Sequence, residues 1–193
     1  VGVILPLTAT NEYRQDAREA HTGWFFSQDI TTNTGSYAYD NMQKLFRFHA
    51  LSAGQETQES IKISIQDLVY SRDTTGTSPF GSFTVVVRKA SDTDNVPEII
   101  ERFSNCNLNP LSQNYIARKI GDRRLDWDGT KRILKSYGNY DNVSSFIRVE
   151  MDSSVEQSAI DPRLLPFGVY GPPKYEGTPG MTETAVGSTS TII

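Results

Sequence analysis

The residues best equipped for chemistry in this chain are few. They are two histidines, His21 and His49, one cysteine, Cys106, and carboxylates gathered in the runs SDTDN (Ser91 to Asn95) and DWDG (Asp126 to Gly129). A metal site needs several converging N, O or S ligands. The histidines are 28 positions apart and neither has an HxxxH or HxE companion. DWDG resembles the start of a calcium loop, but it lacks a third oxygen ligand before the glycine and the later bidentate glutamate, so a turn is the reading. SDTDN precedes a segment that reads as a helix, and capping accounts for its carboxylates. Cys106 has no plausible histidine partner and reads as a small buried hydrophobe. No GxSxG elbow, Gly-rich phosphate loop or dinucleotide fingerprint occurs. The expectation is a protein that is not an enzyme, with no cofactor and no metal.

A second kind of chemistry is electrostatic. Residues 118–135 hold seven basic side chains against three acidic ones, a net of +4 in a chain whose total is −4, leaving −8 elsewhere. Arg118, Lys119, Arg123 and Arg124 could bind phosphate, but aromatic residues are not interleaved with them as a stacking platform for single-stranded nucleic acid requires. The acidic overall balance also argues against a dedicated nucleic-acid partner. These four residues are assigned as a candidate contact to another subunit, where complementary potentials set register and partner choice. The alternative is a solvated face with carboxylate partners nearby.

The chain of 193 residues is long enough for one large domain or two small ones, and its 37% hydrophobic content suffices for a packed interior. No apolar run approaches the roughly 20 residues that cross a bilayer, so no membrane insertion is expected. The start, VGVILPL, lacks the flanks of a secretory signal and reads as a fragment boundary. The NVS sequence at Asn142 to Ser144 matches a glycosylation acceptor, which without a secretory context is read as chance.

The positioning elements follow from periodicity. KLFRFHALSA alternates Leu45, Arg47 and His49 against Phe46, Phe48 and Ala50, and SIKISIQDLVYS sets Ile61, Ile63 and Ile65 against Lys62, Ser64 and Gln66. Both patterns predict strands. FTVVVRKA predicts a third, and the three are expected as antiparallel neighbours in one sheet. SSFIRVEMD predicts another, with Phe146, Arg148 and Glu150 on one side and Ile147, Val149 and Met151 on the other. RLDWDGTKRILKSYG predicts a hairpin around Asp128-Gly129. TNEYRQDAREAHTGWFF reads as a short helix or an ordered loop, followed by loops at Ser27 to Ser36 and Ser71 to Ser82.

Two further helices are expected. One begins near Asp94 or Asn95 as cap, with Pro97 in its first turn and Ile99, Ile100 and Phe103 as its apolar stripe. The other spans Gln113 to Ile120, with Ser112 as cap and Gly121 in a left-handed closing position. From Asp161 the chain turns rich in Pro and Gly and reads as linker or surface wrap. The predicted class is α+β: a strand-rich mixed or antiparallel sheet with a few short helices.

Taken in order, GWFFSQDI, KLFRFHALSAG, IKISIQDL, FGSFTVVVRKASDTD, IIERFSNCNLNPLSQNYIARKIGD and SSFIRVEM resemble the tail sheath proteins of contractile-tailed bacteriophages. The succession RFSN, LNP, S and NYIARKIGD is the most specific part. The resemblance covers most of 23–175, leaving 1–22 as an N-terminal segment and 176–193 as a Gly/Thr/Ser-rich tail. It implies a structural subunit that stacks with other sheath subunits, as hexameric rings or a six-start helix, around a tail tube above a baseplate. Contraction would drive the tube through the host cell envelope, with no cofactor or nucleotide consumed. It further implies a virion location, with assembly in the host cytoplasm. Family members are longer and carry a further C-terminal domain, so a fragment lacking it is expected to be monomeric. The alternative is a surface-exposed module that binds a host surface or a decoration protein.

Overall fold

The computed structural model describes residues 19–30, 41–54, 56–71 and 79–169. Expectations for the opening apolar run, for most of the Ser71 to Ser82 connection and for the tail from residue 170 lie outside these. The described residues form ten strands and three short helices. The order is β1 (Glu19–His21), β2 (Phe25–Ser27), β3 (Lys44–Ala53), α1 (Glu56–Ser60), β4 (Ile61–Val69), β5 (Ser82–Lys89), β6 (Ile99–Cys106), α2 (Ile116–Ile120), β7 (Arg124–Asp128), β8 (Ile133–Tyr137), β9 (Ile147–Met151), α3 (Ser153–Glu156) and β10 (Pro166–Val169). The α+β, strand-rich class predicted from the sequence is the class observed.

The predicted single sheet divides in two. β3 is the hub of a five-stranded sheet in which β9 pairs one edge, β1 and β2 pair it in succession, and β10 extends β2. β4, β5 and β6 form a separate antiparallel meander. The alternation that predicts each strand says which face is apolar but not which neighbour it pairs with, and both sheets turn their apolar faces into one core. Phe46 of β3 joins them, stacking on Phe25 at 5.1 Å and on Phe83 of β5 at 5.8 Å between ring centroids.

Several local expectations are corrected. Residues 99–106, predicted as a helix, are strand β6, because Ile99, Glu101, Arg102, Phe103 and Cys106 find partners along β5. Asp94 and Asn95 cap no helix. The SDTDN run instead folds back on β5, where Arg88 takes both oxygens of Asp92 through Nε and Nη2, each at 2.7 Å, and reaches Asp94 at 2.9 Å. The helix expected over Gln113 to Ile120 is only its last turn and a half, α2, since Asn109 to Asn114 is consumed in turns. Ser112 Oγ accepts from the backbone N–H of Asn114 within those turns.

Of the segment read as a short helix or a loop, residues 10–18 lie outside the described residues, as do 31–36 of the loop after it; the described part contributes strands β1 and β2, with Ser27 closing β2 rather than opening a loop. The stretch after Asp161, read as linker, supplies edge strand β10, a position that tolerates Pro166 at its first residue. A Cβ at Gly168 would sit 2.7 Å from the tip of the Phe26 ring, so a larger residue there would push that ring aside. β7 and β8 form the expected hairpin, and Asp128 Oδ1 closes its turn by accepting from the N–H groups of Thr130 and Lys131 at 3.0 Å.

Candidate functional site

The segment holding Arg118, Lys119, Arg123 and Arg124 is fixed from beneath. Tyr115, Ile116, Ala117 and Ile120 are buried in the common core, so α2 is anchored by its apolar side and its cations are turned outward. Its entry is closed by a short parallel bridge. Asn107 N–H donates to Asn114 O at 2.9 Å, Ile116 N–H donates to Asn107 O at 3.1 Å, and the Asn107 amide donates to Ser112 Oγ at 2.9 Å. The exit needs Gly121. Its φ is +107°, its N–H bonds Ala117 O at 2.9 Å, and a Cβ would press into the backbone of Asn142 and lie 2.8 Å from Asp141 O. Thus NLNPLSQNYIARKIG, Asn107 to Gly121, is one corner in which Asn107, Asn109 and Ser112 bond its own backbone and one another.

The four basic side chains do not converge. Arg118 donates to Gln113 Oε1 at 3.0 Å and lies 5.3 Å over the Tyr140 ring. Lys119 donates to the carbonyl of Ser104, tying α2 to β6. Arg123 pairs with Asp141, while Arg124 pairs with Asp126 at 2.9 Å and lies 5.4 Å over the Tyr137 ring. Each has its own partner on the chain, which is not the arrangement of a phosphate cradle. Asn142, the sequon residue, exchanges both amide ends with the Arg123 main chain, at 3.0 and 2.8 Å.

A second polar cluster lies on the face of β3 opposite Phe46 and Phe48. The sequence places His49 with Arg47, and Arg148 with Glu150, and the structure sets the two pairs against each other across β3 and β9. Glu150 Oε2 accepts from Arg47 Nε at 2.8 Å and from His49 Nε2 at 2.5 Å. Arg148 pairs with Glu19 of β1, and Arg47 lies 4.8 Å over the Trp24 ring. The two histidines, distant in sequence, are cross-strand partners with ring centroids 5.4 Å apart. That proximity had no local sequence signal, because it depends on β1 pairing with β3.

Burial and mutual charge set the protonation of the cluster. Burial, reinforced by the Arg148 charge, pushes the His49 pKa down despite the opposing pull of Glu150. Neutral His49 donates through Nε2, which leaves its buried Nδ1 without a donor, 3.8 Å from Glu19. Burial acts to raise the pKa of Glu150, but the hydrogen bonds from Arg47 and His49 outweigh it and hold the carboxyl below its ordinary value. Cys106 is fully buried in the core, and burial pushes its thiol up to about 11. Among the described residues no three His, Cys, Asp or Glu side chains are grouped to hold a metal ion. No helix there is long and apolar enough to cross a membrane.

Comparison with family models, with curated proteins and with solved structures finds no match in any of the three.

Proposed function

We propose that the chain is a structural subunit of a contractile phage tail sheath, which polymerises around a tail tube and contracts to drive the tube through the host envelope. The observation that carries the reading is the ordered succession of segments, above all IIERFSNCNLNPLSQNYIARKIGD. In the fold this most specific segment is a continuous unit, running from β6 through the Asn107 corner into α2 and Gly121. A sheath subunit needs a stiff body whose surface contacts exchange between two arrangements. The shared two-sheet core supplies stiffness, and exposed ion pairs such as Arg123 with Asp141 exchange at little cost, each being worth about 0–1 kcal/mol. The partners are other sheath subunits and, through the longer protein, tube and baseplate proteins. The location is the virion, and neither a cofactor nor a catalytic step belongs to the role. Contraction is then an interface rotation between nearly rigid bodies.

The experiment is assembly. Expressed together with a tail tube protein, a chain carrying these 193 residues should form tubular polymers visible by negative-stain electron microscopy, with six-fold symmetry. A chain that forms no polymer in the presence of tube and baseplate proteins would sink the reading. Within such polymers, reversing Arg123 and Arg124 tests the charged contact. Arg118 and Lys119 are poorer choices, because they also hold the corner itself.

A second reading, a module that binds a host surface or decoration protein, is favoured by one observation. A cleft of about 460 Å³ opens beside Tyr70, floored by Gln28 and Ile30 and rimmed by the Asp161–Arg163 ion pair. Retention on immobilised host glycans, abolished by Tyr70→Ala, would support it.

A further inference from the structure

Among the described residues, every lysine and arginine but two has a partner on the chain. For most it is a carboxylate; for Lys119 it is a carbonyl, for Arg118 the Gln113 amide oxygen and the Tyr140 ring, and for Lys44 the Trp24 ring. The exceptions are Lys131 and Arg132, adjacent in sequence and both exposed, whose side chains bond to nothing among the described residues. They sit at the tip of the β7–β8 hairpin, in the turn of residues 129–132. Arg132 holds its φ at +52°, a backbone region that disfavours any residue with a side chain.

The ribbon that carries this tip is not packed on either face. β7 and β8 pair only with each other. Leu125, Trp127 and Leu134 on one face and Ile133 and Tyr137 on the other are 44–64% exposed. A two-stranded ribbon of this kind is marginal in water by itself and opens more readily than the core does. Near the tip it is held shut by Asp128, which accepts from the N–H groups of Thr130 and Lys131 and pairs with Lys135 at 3.0 Å. Opening stops at the base, where Asn142 bonds the Arg123 main chain in both directions and Tyr140 N–H donates to Asp122 Oδ1 at 2.7 Å.

We infer that the tip is a processing site for a trypsin-like serine endopeptidase, which cuts the chain between Arg132 and Ile133. Such an enzyme needs a basic side chain to enter a pocket floored by a carboxylate, and a stretch of backbone that can lie extended across its catalytic serine. Arg132 meets the first need with no ion pair to break, and Lys131 offers a second unpaired cation at the preceding subsite. The turn and the first residues of β8 meet the second need. Freeing them separates only the Asp128–Ile133, Trp127–Leu134 and Asp126–Lys135 pairs, and it lets Arg132 leave its left-handed backbone. The step is a hydrolysis: the bond from the Arg132 carbonyl carbon to the Ile133 nitrogen breaks, one water is consumed, and a carboxylate and an ammonium group are left at the new ends.

The nick leaves the fold standing. The downstream piece supplies β9, which pairs with β3 from Phe46 to Ala50, and β10, which pairs with β2, and both acceptor strands belong to the upstream piece. The two pieces therefore stay together as one particle, while the halves of the ribbon are released from each other. The inference goes beyond the sheath reading and does not depend on it.

The test is limited digestion of the whole 193-residue chain by trypsin at a low enzyme ratio, with the products mapped by mass spectrometry and run on a native sizing column. Among the bonds that follow described lysines and arginines, Arg132–Ile133 should be cut first, about tenfold or more ahead of the next. The piece that begins at Ile133 should elute with the rest of the chain until denaturant is added. Lys131→Gln with Arg132→Gln should abolish this cut and leave the others at their wild-type rates, and Asp128→Ala, which loosens the turn, should quicken it. A first cut at any other described bond overturns the assignment, as does a rate unchanged by Asp128→Ala. Pieces that separate on nicking would overturn the claim that the base and the two sheets hold them.

Discussion

The carboxylate of Glu101 accepts the hydroxyl proton of Ser144 at 2.6 Å and the backbone N–H of Ser145 at 2.9 Å. Glu101 lies on β6 of one sheet, and Ser144 opens the turn that leads into β9 of the other, so 43 residues of chain are closed by one side-chain contact. Ser144 Oγ accepts in turn from the N–H groups of Phe146 and Ile147 at 3.2 and 3.1 Å, which makes this buried hydroxyl the hinge pin of the turn. Ser144→Ala should leave the buried Ile147 N–H unpartnered and lower stability by about 2 kcal/mol. In a chain of this size that is a Tm lower by roughly 5 °C, readable by calorimetry. An unchanged Tm would show that the two sheets are held by apolar packing alone.

Gly121→Ala should be more damaging. The backbone at φ +107° and ψ 148° is open only to glycine, at a cost of about 1–3 kcal/mol for any other residue, and the added methyl must also displace the Asn142 backbone. The expected result is a urea midpoint lowered by more than that of Ser144→Ala, or insoluble protein. The matched control is Gly129→Ala in the hairpin turn, where a Cβ meets nothing within 4 Å, and it should be nearly silent.

Acid stability should depend on Asp92. Its side chain is out of solvent, and the Arg88 hydrogen bonds, aided by Lys62 and the Glu98 N–H, hold its carboxyl far below the usual carboxylate range. A carboxyl whose pKa is depressed by folding stabilises the native state above its unfolded pKa, about 3.9, and loses that contribution as pH falls toward the folded value. Asp92→Asn should therefore be less stable at neutral pH, with a gap to wild type that narrows below about pH 4. Denaturant titrations at a series of pH values would show parallel curves if the pair were unimportant.

His49 works in a separate window. Its folded pKa is lowered, so the unfolded chain takes up the proton first, and the native state loses stability as pH falls below about 6.5. The groups facing the ring are Arg47 on β3, Arg148 and Glu150 on β9, and Glu19 and His21 on β1. His49→Gln keeps a donor toward Glu150 and removes the titration, so it should flatten the stability profile between about pH 6.5 and 5. A profile identical to wild type would place that pH dependence elsewhere.

Strands β3, β4, β5 and β9 and the hairpin were legible because each carries its own two-residue alternation or its own turn chemistry. The charge cluster was half legible for the same reason, since alternation alone put Arg47 with His49 and Arg148 with Glu150. What the local pattern missed was decided by neighbours. Ile99, Ile100 and Phe103 suit a helix face, but Ile99 and Phe103 pair with β5, and Arg88 sequesters the Asp92 that would have served a cap region. β10 has no alternation to read, and only the waiting edge of β2 makes Pro166–Val169 a strand. The meeting of His21 with His49 rests on that same kind of long-range pairing.

The pairing of β2 with β10 has a consequence for synthesis. Gln28 receives the main chain of Leu165 from 137 residues downstream, and the β2 edge from Phe25 to Ser27 finds its partner only there. On the ribosome, nearly the whole described chain must emerge before this edge is covered. Until then Phe25 and Phe26 border an open strand that any neighbouring nascent chain could occupy. The last strand to appear therefore decides whether a newly made chain closes this edge by itself before it meets another.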